Sequence, residues 1–368
     1  MVDSTASFAS GTVRPQPETR ASAGIGYAPQ IDTLRCIAVG FVFLEHFLPY
    51  QAHRLGIHGG YGVWMFFTIS GFLITNILLD YKRAIESSQA TLLHALGVFY
   101  ARRSLRIFPV YYLLLFVLLA SGFVAWRGEF FWHLTYTTNF WTVKNNEWGF
   151  YAGHFWSLAV EEQFYLVWPF VLLSAPRKAL IWIIGIGVGC ALAFRAWAIL
   201  SGHGLMAFAM PISNFDTLGA GALLAWLHHR GSENILEPLR RHGGWALLLL
   251  PVMIFWPGQL KNILEPLLTA LIALYLIERC VAGFRRTLGR LFALPPIVYL
   301  GRISYGLYLY HYVIRWYLPQ SWLESYSLPF QPYVTALVWS AATIAVAALS
   351  WHFFEAPINA FKKNFRIV

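Results

Sequence analysis

The sequence is poor in charge. Charged residues make up 12% of its 368 positions, about half of the ~25% that soluble domains carry. A water-soluble fold of this composition lacks the polar surface to cover itself. Acidic residues are scarcer still, 17 against 27 lysines and arginines, for a formal charge of +10. Cysteine is nearly absent. Cys36, Cys190 and Cys280 stand far apart, each in or beside an apolar stretch, which excludes a disulfide framework or a cysteine-rich metal site and leaves small packing residues. No apolar core follows a basic start at the N-terminus, so a secretory signal is not expected. Residues 1–29, rich in Ser, Thr, Ala, Gly and Pro, read instead as a disordered cytoplasmic tail. Internal repeats are also lacking, which counts against a transporter built from repeated halves.

Apolar residues, by contrast, are abundant: 58% of the chain is hydrophobic and 17% aromatic, arranged in recurrent runs of about 18 or more, long enough to cross a bilayer. The predicted fold class is an all-α, polytopic transmembrane helix bundle of about ten spans. The spans fall near residues 33–50, 61–80, 105–124, 155–174, 179–200, 211–228, 243–257, 262–280, 297–317 and 332–354, the seventh being short and proline-bounded. Segment 126–153, with Trp126, Trp132, Trp141 and Trp148, reads as an interfacial loop, because indoles favour the headgroup level. Residues 30–360 thus form one transmembrane domain and 361–368 a short basic cytoplasmic tail. With no soluble domain expected at either end, the chemistry falls to the membrane domain.

Basic residues set the orientation. With both termini in the cytoplasm, 21 of the 27 lysines and arginines lie inside, Arg54, Arg127, Lys144, Lys261 and Arg315 lie outside, and Arg195 lies within a span. This is a strong positive-inside pattern. The charge therefore reports topology, and no nucleic-acid partner is expected.

Ionisable groups at membrane depth are costly and mark function by default. Arg35 and His46 are eleven residues apart, so on one helix they share a face about 16 Å apart, Arg35 toward the cytoplasm and His46 deeper. Arg35 as a snorkelling anchor and His46 as an interhelical hydrogen-bonding group are the plain alternatives. Arg102, Arg103 and Arg106 cluster where the third span begins, a plausible clamp for a phosphorylated ligand or for lipid headgroups. In the fourth span His154, Ser157, Glu161, Tyr165 and Trp168 step by three or four and form one stripe, with Glu162 pointing elsewhere. Ser304, Tyr308 and His311 share a face of the ninth. Arg195 is expected to pair with Asp216 structurally, since a buried arginine needs an acceptor.

At these residues the chain resembles the acyltransferase-3 family. The resemblance rests on Ile31-Asp-Thr-Leu-Arg-Cys-Ile-Ala38 through His46, Phe66-Phe-Thr-Ile-Ser-Gly-Phe-Leu-Ile74, Arg102-Arg-Ser-Leu-Arg-Ile-Phe-Pro109, Trp156-Ser-Leu-Ala-Val-Glu-Glu-Gln-Phe-Tyr165, Leu300-Gly-Arg-Ile-Ser-Tyr305 through His311, and Phe354-Glu-Ala-Pro357, in the family's order. It implies a membrane-bound O-acyltransferase of the plasma (bacterial inner) membrane. Such an enzyme moves an acyl group, most often acetyl, from cytosolic acyl-CoA to a hydroxyl of an exopolysaccharide, lipopolysaccharide or glycolipid. Acyl-CoA is then a donor substrate, with no bound cofactor and no metal. The resemblance implies His46, Arg35 and Glu161 as catalytic and Arg102, Arg103, Arg106, Ser70 and Gly71 as acyl-CoA-binding. His154, Glu162, Tyr165, Ser304, Tyr308 and His311 are expected on the acceptor side. Cys36, where a glycine or alanine is usual, and Glu45, an uncommon acidic neighbour of His46, depart from the family pattern.

The chemistry needs a base for the hydroxyl, a donor for the oxyanion and a grip on the donor phosphate. Histidine has the pKa range for the first, Arg35 suits the second, and the arginine cluster the third. The alternatives are a transporter or flippase of a lipid-linked saccharide, with the same residues lining a path, and a structural scaffold.

Overall fold

The structure, a computed structural model, describes residues 28–48, 56, 58–121, 124–149, 152–284, 286–321 and 330–367. The expected N-terminal tail lies almost wholly outside the described residues. Within them the chain is all-helical and without a β-strand. The helices are α1 (Pro29–Phe47), α2 (Gly60–Glu86), α3 (Leu92–Ala120), α4 (Val124–Leu134), α5 (Thr138–Asn145), α6 (Phe155–Ser174), α7 (Arg177–Leu200), α8 (Gly204–Ala209), α9 (Phe215–Arg230), α10 (Glu233–His242), α11 (Leu249–Phe255), α12 (Gln259–Ala282), α13 (Arg286–Phe292), α14 (Pro295–Arg302), α15 (Ser304–Tyr317), α16 (Gln331–Ser350) and α17 (Ala356–Ala360). A π-helical turn, Trp351–Glu355, joins α16 to α17, and a 3-10 turn, Phe361–Asn364, follows.

Five of the described helical segments are long and apolar enough to cross a membrane: α2, α3, α7, α12 and the stretch Gln331–Asn364. The other expected spans are helical but shorter, broken or less apolar. The seventh is a 3-10 turn, Gly243–Leu248, leading into the short α11, and the ninth is interrupted at Ile303 between α14 and α15. The stretch expected as an interfacial loop holds two helices, α4 and α5.

Helix α2 is the centre of the bundle. It is buried along most of its length, as befits a helix surrounded by other helices, and it packs against α1, α6, α9 and α12. Its closest neighbour is α9. A Cβ on Gly71 would overlap the Leu218 carbonyl, and one on Gly221 would overlap the Thr68 carbonyl, so this pair of glycines lets two backbones touch, as small residues do in membrane bundles. The N-terminal half of α1 is held as closely by α14, where Gly301 meets the Asp32 carbonyl.

Two buried cations fix the outer helices. The Lys82 ammonium donates to the carbonyls of Leu172 (3.1 Å), Leu173 (3.0 Å) and Ala175 (2.7 Å), closing the C-terminus of α6, whose last carbonyls have no partner within the helix. Arg195 on α7 makes the expected pair with Asp216 on α9 through two bonds of 2.7 and 2.8 Å. It also donates to Ile263 O at 3.0 Å and to Ser213 O. Both partners are essentially inaccessible. Asp216→Ala leaves a guanidinium buried without its counter-charge, so a loss of about 3–5 kcal/mol is expected. A thermal unfolding profile in detergent, followed by size-exclusion, checks this; an unchanged midpoint would show the pair to be dispensable.

Candidate active site

Helices α1, α2, α3, α6 and α14–α15 enclose two recesses. The first, of about 620 Å³, is lined by Arg35, Arg102, Arg103, Arg106, Arg302 and Lys362, with Asp32 and Glu161 the carboxylates among its described walls. Arg35 on α1 pairs with Asp32 one turn back (3.4 Å), and Arg102 donates to the Phe365 carbonyl (3.0 Å). Arg103 lies flat over the Tyr165 ring, 4.0 Å from its centroid, and its Nε is buried without a hydrogen-bond partner. The far wall is a three-way knot. Ser70 and Tyr165 both donate to the Glu161 carboxylate, and the Tyr165 hydroxyl also reaches Ser70 Oγ at 3.1 Å. Ser304 Oγ, fully buried on the same cavity, has no partner either. Two polar groups without partners thus belong to the walls of a recess rich in positive charge, whose chemistry favours anions.

The second recess, of about 380 Å³, is lined by histidines, tyrosines and tryptophans: His46, His58, His154, Tyr308, Tyr312, Trp148 and Trp156, with Glu45. Its hydrogen bonds fix the tautomers. His311, fully buried behind His46, faces the Tyr308 carbonyl through Nδ1 at 2.6 Å. A carbonyl only accepts, so Nδ1 carries the proton and Nε2 a lone pair. That lone pair meets His46 Nδ1 at 3.2 Å, and the same Nδ1 lies 3.0 Å from the Val42 carbonyl. His46 is thereby the Nδ1–H tautomer, with the basic lone pair on Nε2. His154 Nε2 donates to Leu309 O at 3.2 Å, which leaves its Nδ1 a buried acceptor without a partner. His58 is spent: Gly60 N–H donates to its Nδ1 (3.2 Å), and its Nε2 meets Glu265 at 3.1 Å. Glu45 accepts from Gly59 N–H at 3.2 Å, which turns its carboxylate into the pocket wall.

One ring contact links the walls of the two recesses. Phe66 lines the arginine cavity and Tyr308 the histidine pocket, and the two rings meet edge to face with centroids 6.2 Å apart. Tyr308 is anchored by Ser157 (2.5 Å) and by the His154 carbonyl (3.0 Å).

The structure thus gathers Arg35, Arg102, Arg103, Arg106, Ser70 and Glu161 around one cavity, and His46, His154 and Tyr308 around the other with His311 behind. Four residues lie elsewhere than expected. Gly71 does not line the arginine cavity; it is consumed by the contact with α9. Ser304, expected on the acceptor side, lines the arginine cavity. The Tyr165 hydroxyl belongs to the Ser70–Glu161 knot rather than to the histidine pocket. Glu162 faces a separate, largely apolar groove of about 1000 Å³ beside α6 and α7, whose rim includes the exposed Leu166, Val167 and Ile186. Asp32, Phe66, Trp148, Arg302, Tyr312 and Lys362 were not foreseen as lining groups. Asp32 had a visible signal, its three-residue spacing from Arg35.

A family model described as an acyltransferase domain matches residues 29–355. The peptidoglycan O-acetyltransferase of Listeria monocytogenes is 30% identical over 383 residues, covering 92% of this chain and 57% of that protein. A putative peptidoglycan O-acetyltransferase of Bacillus subtilis is 27% identical, covering 90% and 55%. A putative O-acetyltransferase of Staphylococcus aureus is 26% identical, covering 90% and 57%. The chain spans a little over half the length of these relatives. No solved structure matches it.

Proposed function

From a chain that belongs to the acyltransferase-3 family, we propose an O-acyltransferase that draws an acyl group, acetyl foremost, from acyl-CoA in the arginine cavity. The acceptor is a carbohydrate hydroxyl in the histidine pocket. The observation that carries this reading is the pair of recesses set back to back, one cationic and one with a histidine whose basic nitrogen is defined, a ring pair apart. The positive-inside distribution supports an orientation with the arginine cavity toward the cytosol, where CoA thioesters are made, and the histidine pocket toward the far side of the membrane. Trp148, Trp156 and Tyr312 offer flat apolar faces, and Glu45 and His154 offer acceptors for hydroxyl protons; together they suit a sugar. The names of the relatives make a peptidoglycan-type glycan the first acceptor to try.

The reaction follows from the tautomers. His46 Nε2 takes the proton as the acceptor oxygen attacks the thioester carbon. The resulting oxyanion draws on nearby positive charge, for which Arg35 is the nearest candidate on the same helix. Collapse breaks the carbon–sulfur bond, and the departing thiolate recovers the proton from the His46 imidazolium. Hydrogen bonding from Nδ1 to the Val42 carbonyl and His311 keeps the imidazole in the reactive tautomer throughout. For the thioester to reach His46 the Phe66 ring must turn aside, so donor binding and opening of the ring contact are coupled.

The test is purified protein in lipid nanodiscs with acetyl-CoA and muropeptide-free glycan strands, with free thiol and O-acetyl ester measured together. Thiol release matched one to one by ester supports the reading. Glycan movement across the bilayer without thioester loss would replace it with the transporter reading.

A further inference from the structure

The last long helix runs on through five residues of π-helix at Trp351–Glu355 into α17 and the 3-10 turn Phe361–Asn364. Such π segments are frequent at functional sites. Beyond it the C-terminal stretch lies against α3: the Phe365 carbonyl accepts from Arg102 (3.0 Å) and the Arg366 carbonyl from His94 Nε2 (3.2 Å). One side chain of this stretch enters the cavity. Lys362 is half-buried among the cavity-lining arginines, whereas its neighbour Lys363 is exposed. A chain that brings a further ammonium into a recess already crowded with guanidinium groups accepts a repulsion that only an anionic ligand offsets.

We infer that the C-terminal stretch is part of the donor site and that Lys362 is a ligand of a donor phosphate. This rests on the acyl-CoA reading of the arginine cavity. Charge supports it. Six cations face two carboxylates in the recess, an excess of four. CoA carries two charges on its pyrophosphate and about 1.5–2 on its phosphate monoester. The match closes with Lys362 and falls short without it. Lysine suits the task because, as a compact point charge on a flexible stem, it can reach a phosphate after the nucleotide has entered, while the arginines provide the fixed forks.

The test uses the full chain in nanodiscs and measures equilibrium binding of CoA and of dephospho-CoA, which needs no acceptor. Lys362→Gln is expected to weaken CoA binding about tenfold, and Lys362→Arg to stay within about twofold of the unaltered protein. If dephospho-CoA binds the unaltered protein and Lys362→Gln equally, Lys362 holds the 3′-phosphate; if the tenfold loss persists, it holds the pyrophosphate. Either result supports the inference. Unchanged CoA affinity in Lys362→Gln overturns it, as does an equal loss in Lys362→Arg, which would make the residue structural. If the unaltered protein binds neither nucleotide, the donor reading itself fails and takes this inference with it. Size-exclusion profiles of the variants separate loss of binding from loss of fold.

Discussion

His46→Ala is expected to lower acetyl transfer by about 10²–10⁴-fold, the usual worth of a positioned general base, with little change in the KM for acetyl-CoA. The split follows from where the residue sits. His46 lines the histidine pocket and not the arginine cavity, so its loss removes proton transfer and leaves the grip on the donor intact. Steady-state kinetics of thiol release measure both constants. His46→Gln is a useful companion, since it keeps a hydrogen-bonding group but cannot take a proton; it is expected to be as slow as the alanine variant. Turnover within a few-fold of the unaltered protein in either variant would remove His46 from the mechanism.

Arg103→Ala is expected to do the opposite, raising the KM for acetyl-CoA about 10- to 100-fold through the loss of charge-assisted hydrogen bonds. A smaller fall in kcat should accompany it, because the guanidinium also covers Tyr165 and steadies the Ser70–Glu161–Tyr165 knot behind it. Arg103→Lys is the informative variant. Lysine restores the charge but cannot lie flat on a ring and present a fork at once, so only part of the affinity should return. Complete recovery with lysine would show that charge alone matters there.

Much of this arrangement was legible in the sequence, and the failures share a geometric cause. The eleven-residue step from Arg35 to His46 correctly placed both on a bundle-facing side of one helix. It could not tell that they open into different recesses, because the ring contact between those recesses is supplied by Phe66 and Tyr308 from two other helices. Motif neighbours fared worse. Ser70 and Gly71 stand side by side in one motif, yet consecutive residues on a helix point about 100° apart, and of the two Ser70 lines the cavity. The same rotation separates Glu161, in the arginine cavity, from Glu162, in the groove beside α6. Ser304 and Tyr308 do share a face, but four residues advance the helix by about 6 Å, enough to put them in the walls of different recesses. Lys362 had no local signal at all. Its place depends on how the end of the last helix docks beside α3, and a basic terminus otherwise reads as a topological anchor. Arg195 and Asp216 were paired correctly because a guanidinium in an apolar helix leaves few other solutions.

The Phe66–Tyr308 contact has a consequence outside the chemistry. On the proposed orientation the two recesses open toward opposite faces of the membrane, and the Phe66–Tyr308 ring pair is the barrier between them. Handing an acetyl group across that barrier must not hand across protons as well, or each turnover would bleed the gradient that the same membrane maintains. Apolar bulk performs this task by excluding water from a constriction, and no charge is needed. Phe66 then answers to the energetics of the whole cell as well as to the reaction beside it.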